Sequence, residues 1–240
     1  MRAEARLVAE CRGGRTVLRE LRSMSPLTLL PKRTGGDAVV HLVSSATAPL
    51  GGDELTLTVR VGAGARLRLS GVAATLALPG HREGGSRSTV RVEIERGGVL
   101  EYLPEPTVVT ARARHTAELF ATLDAEAKLR TREVLVLGRV NERAGQLRST
   151  QRVVAGGVPV LHQTLDVGVL DNGVAHLAGR RVLATELSVG QEPVKAAGGD
   201  WWSVTPLAAC GALITALAPD AVTAHRDLDR ARSLLGHAPW

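Results

Sequence analysis

Residues 50–75, LGGDELTLTVRVGAGARLRLSGVAAT, constrain the fold more than any other stretch. Leu55, Leu57, Val59 and Val61 alternate with Thr56, Thr58 and Arg60, which gives a period of two and one apolar face. Gly62-Ala63-Gly64 breaks the run and supplies a turn. Alternation then resumes, with Ala65, Leu67 and Leu69 against Arg66, Arg68 and Ser70. The unit is strand, tight turn, strand, with Gly51-Gly52-Asp53 at its entrance. It recurs downstream. Val90, Val92 and Ile94 lead to a turn at Arg96-Gly97-Gly98 and a second run at residues 99–103. A third copy covers residues 119–123, turns at Asp124-Ala125-Glu126 and continues through Ala127, Leu129 and residues 134–137. A fourth, weaker copy has Val153-Val154, Gly156-Gly157 and residues 158–161. Val61, Ile94 and Leu123 hold equivalent places, 33 and 29 residues apart.

A strand repeat of about 30 residues predicts stacked layers in which each unit covers its neighbour's apolar face. The expected fold is mainly β and β-helix-like, with a sandwich of consecutive hairpins as the competing architecture. Strands are expected near 55–61, 65–70, 90–95, 99–103, 118–123 and 133–137. One domain is expected over residues 1–240, with the repeat core at about 50–165. Asp171-Asn172-Gly173 reads as a hairpin turn. Near the end, ALITALA at 212–218 is a short strand or a buried helix. A helix follows near 220–235, with Asp220 as N-cap. Val222, Leu228, Ala231, Leu234 and Leu235 give it a partial apolar face.

Composition decides which chemistries this framework can carry. Hydrophobic residues make up 44% of the chain and aromatics only 2%, so Leu, Val and Ala must fill the core and a disordered chain is excluded. The net charge of +6 is arginine-based and spread along the strands, which reads as solvated strand faces. Cys11 and Cys210 form no disulfide framework or zinc spacing. Residues 1–14 lack the apolar core of a signal peptide, and no run reaches the ~20 apolar residues that cross a bilayer, so a cytoplasmic location is expected. There is no phosphate-binding GxxxxGK[ST] loop, nucleophile elbow, HExxH or Cys/His cluster. The seven histidines are scattered. Asp53, Glu101, Glu105 and Glu133 lie near turns or ends of the repeats, where stacking can bring carboxylates together. Weak oxygen ligands of this kind suit the transit of a divalent cation better than its retention. Asp53 can instead cap its own turn.

Four segments in order resemble one family. Leu50-Gly51-Gly52-Asp53 precedes the LxLxVxVGxGA strand and turn, and Ala73-Ala74-Thr75 follows. Leu103-Pro104-Glu105-Pro106-Thr107 and Glu133-Val134-Leu135-Val136-Leu137-Gly138-Arg139 come next. Together they are similar to the urease accessory protein UreD, called UreH in some organisms. Pro26-Leu27 and Ala218-Pro219-Asp220-Ala221 also resemble it, so the likeness covers roughly residues 12–235. One departure is clear: Leu76 stands where the family usually has a lysine after Ala-Ala-Thr.

The resemblance implies a non-enzymatic scaffold with few helices. It implies binding to apo-urease, recruitment of the helical protein UreF and, through it, of the GTPase UreG. It implies nickel in transit rather than a tightly bound cofactor, GTP only through UreG, and neither nucleic acid nor membrane as partner. Asp53, Glu101 and Glu105 are then candidates for nickel transit. Gly51, Gly52, Thr75, Pro104, Pro106, Glu133, Gly138 and Arg139 are candidate partner-binding or structural positions. Exposed apolar surface and poor solubility alone are also expected. A β-solenoid carbohydrate-active enzyme and a basic nucleic-acid-binding β protein are the competing functions. Only five aromatic residues are available to either.

Overall fold

A computed structural model describes residues 1–32, 37–81, 84–168, 177–208 and 211–235. The first half of the chain forms β1 (Arg2–Arg12), β2 (Arg15–Arg22), β3 (Leu27–Lys32), β4 (Ala38–Ser44), β5 (Glu54–Val61), β6 (Arg66–Gly71), β7 (Thr75–Ala77), β8 (Ser86–Ile94), β9 (Val99–Leu103) and β10 (Thr107–Val109). The second half forms β11 (Arg114–Leu123), β12 (Lys128–Leu137), β13 (Gln146–Ala155), β14 (Val158–Val167), β15 (Val182–Val189), β16 (Ala197–Gly198), β17 (Trp202–Leu207), β18 (Gly211–Ala218) and α1 (Ala221–Ser233).

The strands make two sheets. The first runs β14-β13-β11-β8-β5-β1-β2 and the second β16-β17-β18-β15-β12-β9-β6-β4-β3. In the first, β1, β5, β8, β11 and β13 are parallel neighbours; in the second, β4, β6, β9 and β12 are. Each tight turn therefore carries the chain from one sheet to the other, and the architecture is a β-solenoid rather than a hairpin sandwich. The sequence repeat is the solenoid register: Val61 pairs with Ile94, and Ile94 with Leu123. All three are buried between the sheets with Leu57, Val59, Leu67, Leu69, Leu100 and Leu129. Each such side chain contributes roughly 1.5–3 kcal/mol by leaving water.

The fourth repeat departs from expectation. β13 and β14 are antiparallel neighbours in the first sheet, with Ala155 opposite Val158. The chain folds back on itself instead of crossing. The turn explains this. Gly156 and Gly157 both have positive φ, 56° and 80°, which is the two-residue turn a hairpin needs. The crossing turns contain a single left-handed residue each, at Gly64, Gly97 and Glu126.

Residues 211–218 are a strand, β18, and α1 lies on the outer face of the second sheet. Its buried residues are Ala224, Leu228 and Ala231. Val222 and Leu234, expected on that face, are 72% and 59% exposed instead. Small alanines bring the helix against Ala184, Ala216 and Ala218 of the sheet, and only one face fits so close an approach. Asp220 caps α1, accepting the Thr223 backbone N–H at 2.8 Å. The hairpin expected at residues 171–173 lies outside the described residues.

Candidate functional site

Along four inward-facing strands the core is layered. On β12, Leu129 belongs to one apolar cluster and Leu135 to another, with Thr131 and Glu133 between them. Leu119 on β11 and Ala113 just before the strand flank Ala117 and His115. On β13, Val153 and Leu147 flank Gln151 and Ser149. On β15, Leu187 and Leu183 flank Thr185. The register is staggered by one inward step between β11 and β13, with Gln151 opposite Leu119, Ser149 opposite Ala117 and His115 opposite Leu147, while Glu133 stands opposite Thr185 on β15. Glu133, Gln151, His115, Thr131 and Tyr102 line a cavity of about 250 Å³. That volume has room for several waters.

The proline segment explains why the cavity sits there. β12 pairs with β9 over residues 128–131 and with β10 over residues 135–137. Between them lie Pro104, Glu105 and Pro106, and the two prolines have no N–H to give the ladder. β6 and β7 are interrupted at the same level, at residues 72–74. The breach therefore spans two successive coils, and Pro104, Glu105, Ala74 and Thr75 line the cavity beside it. Gly71 closes the packing: a Cβ there would stand 2.7 Å from the Glu105 backbone nitrogen.

Glu133 is half-buried, its carboxylate facing the cavity. It accepts hydrogen bonds from Ser149 Oγ at 2.7 and 3.0 Å and from Gln151 Nε2 at 3.0 Å. Burial raises its carboxyl above the ordinary carboxylate range, and those two donors oppose the rise. Burial also raises the Tyr102 phenol, with the Glu133 charge adding to it. His115 is 5% exposed, with Nδ1 2.9 Å from Ser86 Oγ. Burial pushes its imidazole down to about 4, against a small opposing contribution from Ser86.

This gives a pH prediction. His115 is neutral in the folded chain well below the pH at which the unfolded chain protonates it. Its depressed pKa contributes stability that is present above about pH 6.5 and is lost as the pH falls towards 4. The gap is worth about 3 kcal/mol. Replacing His115 by Gln should flatten that limb of the stability–pH curve, measured by urea denaturation at pH 4.5, 5.5 and 7.

The remaining candidate residues are held elsewhere. Asp53 is 4% exposed and caps its own turn: it accepts the Leu50 N–H at 2.8 Å and contacts the Met1 amino group. Gly51 and Gly52 brace that turn by donating to Leu78 and Gly85 carbonyls. Neither they nor Asp53 line the cavity. Glu101 faces outward on the second sheet, 2.9 Å from Arg130 and 3.4 Å from Arg68. The same ladder continues to Glu186, which is fully buried and binds Arg130 at 2.9 Å and Arg232 of α1 at 3.2 Å. Gly138 turns with φ 75°, and Arg139 pairs with Glu142 at 3.0 Å on the surface.

The structure thus unites Glu105, Glu133 and Thr75 around one cavity and leaves Asp53, Glu101, Gly138 and Arg139 outside it. Sequence reading missed His115, Gln151 and Ser149. Repeat alignment could have found them, since each occupies an apolar place in its strand's alternation. Among the described residues, no group of three or more His, Cys, Asp or Glu side chains is placed to hold a metal ion.

These features define a class: a two-sheet β-solenoid, breached in one sheet and built around a polar interior layer. The family model for UreD urease accessory protein matches residues 1–240, and the chain belongs to that family. Urease accessory protein UreD 1 of Saccharopolyspora erythraea is 55% identical, covering 100% of this chain and 96% of the relative. The UreD proteins of Parafrankia sp. and Streptomyces avermitilis are 42% and 40% identical. Each aligns with 98% of this chain, covering 89% and 98% of the respective relatives.

Proposed function

We propose that this chain is a maturation scaffold for urease that binds apo-urease, recruits UreF and through it the GTPase UreG, and passes nickel through its interior cavity without being an enzyme itself. The observation that carries the reading is the polar layer. An apolar layer at the same level would pack a solenoid core at no desolvation cost. Here Glu133 is held between two apolar layers with its hydrogen bonds satisfied, in a cavity rather than in solid packing.

The chemistry suits a cargo that must leave again. A carboxylate in a medium of low dielectric attracts a hydrated divalent cation more strongly than it would in water. Thr131, Gln151 and Tyr102 supply oxygens for its water shell. The raised pKa of Glu133 adds a release step: an arriving cation favours the ionised carboxylate and expels its proton, and reprotonation weakens the hold as the cation moves on. Glu105 stands at the breach, beside Arg132, as the acid nearest the outer face.

Reconstitution from purified parts tests the assembly. The chain should co-elute with apo-urease and with UreF on size exclusion, and UreG should join only when UreF is present. A chain that elutes alone from both mixtures would refute the scaffold reading.

A further inference from the structure

The outer face of the first sheet carries one row unlike its neighbours. Arg91 on β8, Phe120 on β11 and Arg152 on β13 are in direct register, flanked by His162 on one side and by Thr58 on the other, beyond which the row continues to Arg6 and Arg22. Arg91, Arg152 and His162 are exposed. The Arg91 guanidinium lies 5.4 Å from the centre of the Phe120 ring. Four other arginines on this face are each paired with a carboxylate: Arg60 with Glu95, Arg87 with Glu118, Arg148 with Asp166 and Arg6 with Glu20. Arg22, at the far end of the row, and Arg114, three outward positions from Phe120, have no ion pair among the described residues but no aromatic neighbour in register either. Arg91 and Arg152 have no ion pair among the described residues.

We infer that this row is a docking surface for an acidic amphipathic helix of a partner protein. Two observations select that occupant. The charge is complementary and local: two unpaired guanidiniums flank an apolar ring, while the adjoining rows carry Glu93 and Glu118. A long polyanion tracking this face would meet Glu93, which has no ion pair among the described residues, and would leave the Phe120 ring unused, whereas a protein can address the two arginines singly and rest apolar groups on the ring between them. The spacing then selects a helix. Arg91 and Arg152 stand two strands apart, about 10 Å at the usual strand separation. Helix residues i and i+7 are about 10.5 Å apart, with i+3 and i+4 between them. Carboxylates at i and i+7 meet the two guanidiniums in charge-assisted bonds, and apolar side chains at i+3 and i+4 rest on Phe120. An extended strand repeats a face about every 6.7 Å and fits neither one nor two steps. The proposal holds whatever cargo the cavity carries.

The test is fluorescence anisotropy with the full chain and a labelled helical peptide of about 20 residues, bearing Glu at i and i+7 and Leu at i+3 and i+4. Wild type should bind it, and a version with Lys in place of Glu should not bind. Arg91→Gln/Arg152→Gln should weaken binding at least about tenfold. Arg60→Gln/Arg148→Gln removes the same charge from arginines already paired and should change binding less than about twofold. All four positions are exposed, and unchanged melting temperatures confirm the fold. Equal losses in the two double variants would reduce the effect to net charge and overturn the proposal. So would binding of the Lys peptide, or poly(U) bound more tightly than the acidic peptide and lost on Arg91→Gln/Arg152→Gln.

Discussion

Replacing Glu186 by alanine is expected to destabilise the chain by about 3–5 kcal/mol, a large share of the 5–15 kcal/mol that holds a typical domain together. Glu186 is fully buried under α1. It receives Arg130 Nε at 2.9 Å and Nη2 at 3.2 Å from β12, and Arg232 Nη1 at 3.2 Å from the helix. Its removal leaves two cations facing a void, with Arg130 held only by Glu101 and Arg232 only by Asp229. Arg132, whose Nε is already buried without a partner, loses a nearby counter-charge as well. The cost is that of stranded charge rather than of a lost attraction. The double replacement Glu186→Met/Arg130→Met should therefore cost clearly less than Glu186→Ala alone. Urea denaturation midpoints at neutral pH measure both. A loss below about 1 kcal/mol for Glu186→Ala would contradict the ladder as a structural element.

This ladder was invisible in the sequence, and the reason is topological. Arg130 meets Glu186 because β15 runs antiparallel to β12, 56 residues on. Nothing in local alternation reports that pairing, nor that α1 returns to cover it with Arg232. The solenoid itself was legible because parallel stacking makes register and repeat the same thing. Val61, Ile94 and Leu123 align in both. The interior was half legible. Pro104 and Pro106 were singled out as candidate structural positions, and the breach lies there because neither has an N–H to give a ladder. Gln151, Ser149 and His115 escaped notice because a polar residue at an inward place looks, in one sequence, like an outward residue out of step. The row on the first sheet escaped notice as well. Arg91, Phe120 and Arg152 become neighbours only when the repeats are laid over one another. The helix face failed at Val222 and Leu234 because spacing alone cannot tell which apolar residues a close, alanine-lined contact will admit.

The second large effect concerns the cavity and the reading that nickel passes through it. Glu133→Gln keeps the size of the side chain and can still accept one of the two hydrogen bonds from Ser149 and Gln151. It removes the charge that draws a cation in. Ala117, on the cavity wall opposite, offers an independent block: Ala117→Phe narrows the passage by volume while leaving the charge of Glu133 in place. Overpacking of this kind costs about 1–3 kcal/mol, which a folded complex can absorb. Both variants should assemble with apo-urease and UreF as the wild type does, because Glu133 and Ala117 face the interior of the solenoid. Glu133→Gln should also remove the stability gained towards acid by a carboxylate whose folded pKa is raised. For that group the contribution is present at low pH and is lost as the pH rises through the folded value.

The most direct measurement is nickel per urease active site, determined on urease purified after co-expression with each variant and the remaining accessory proteins. The account predicts normal complexes by size exclusion and nickel content reduced several-fold by both Glu133→Gln and Ala117→Phe. Full nickel loading by both variants, in complexes that assemble normally, would contradict passage through the cavity.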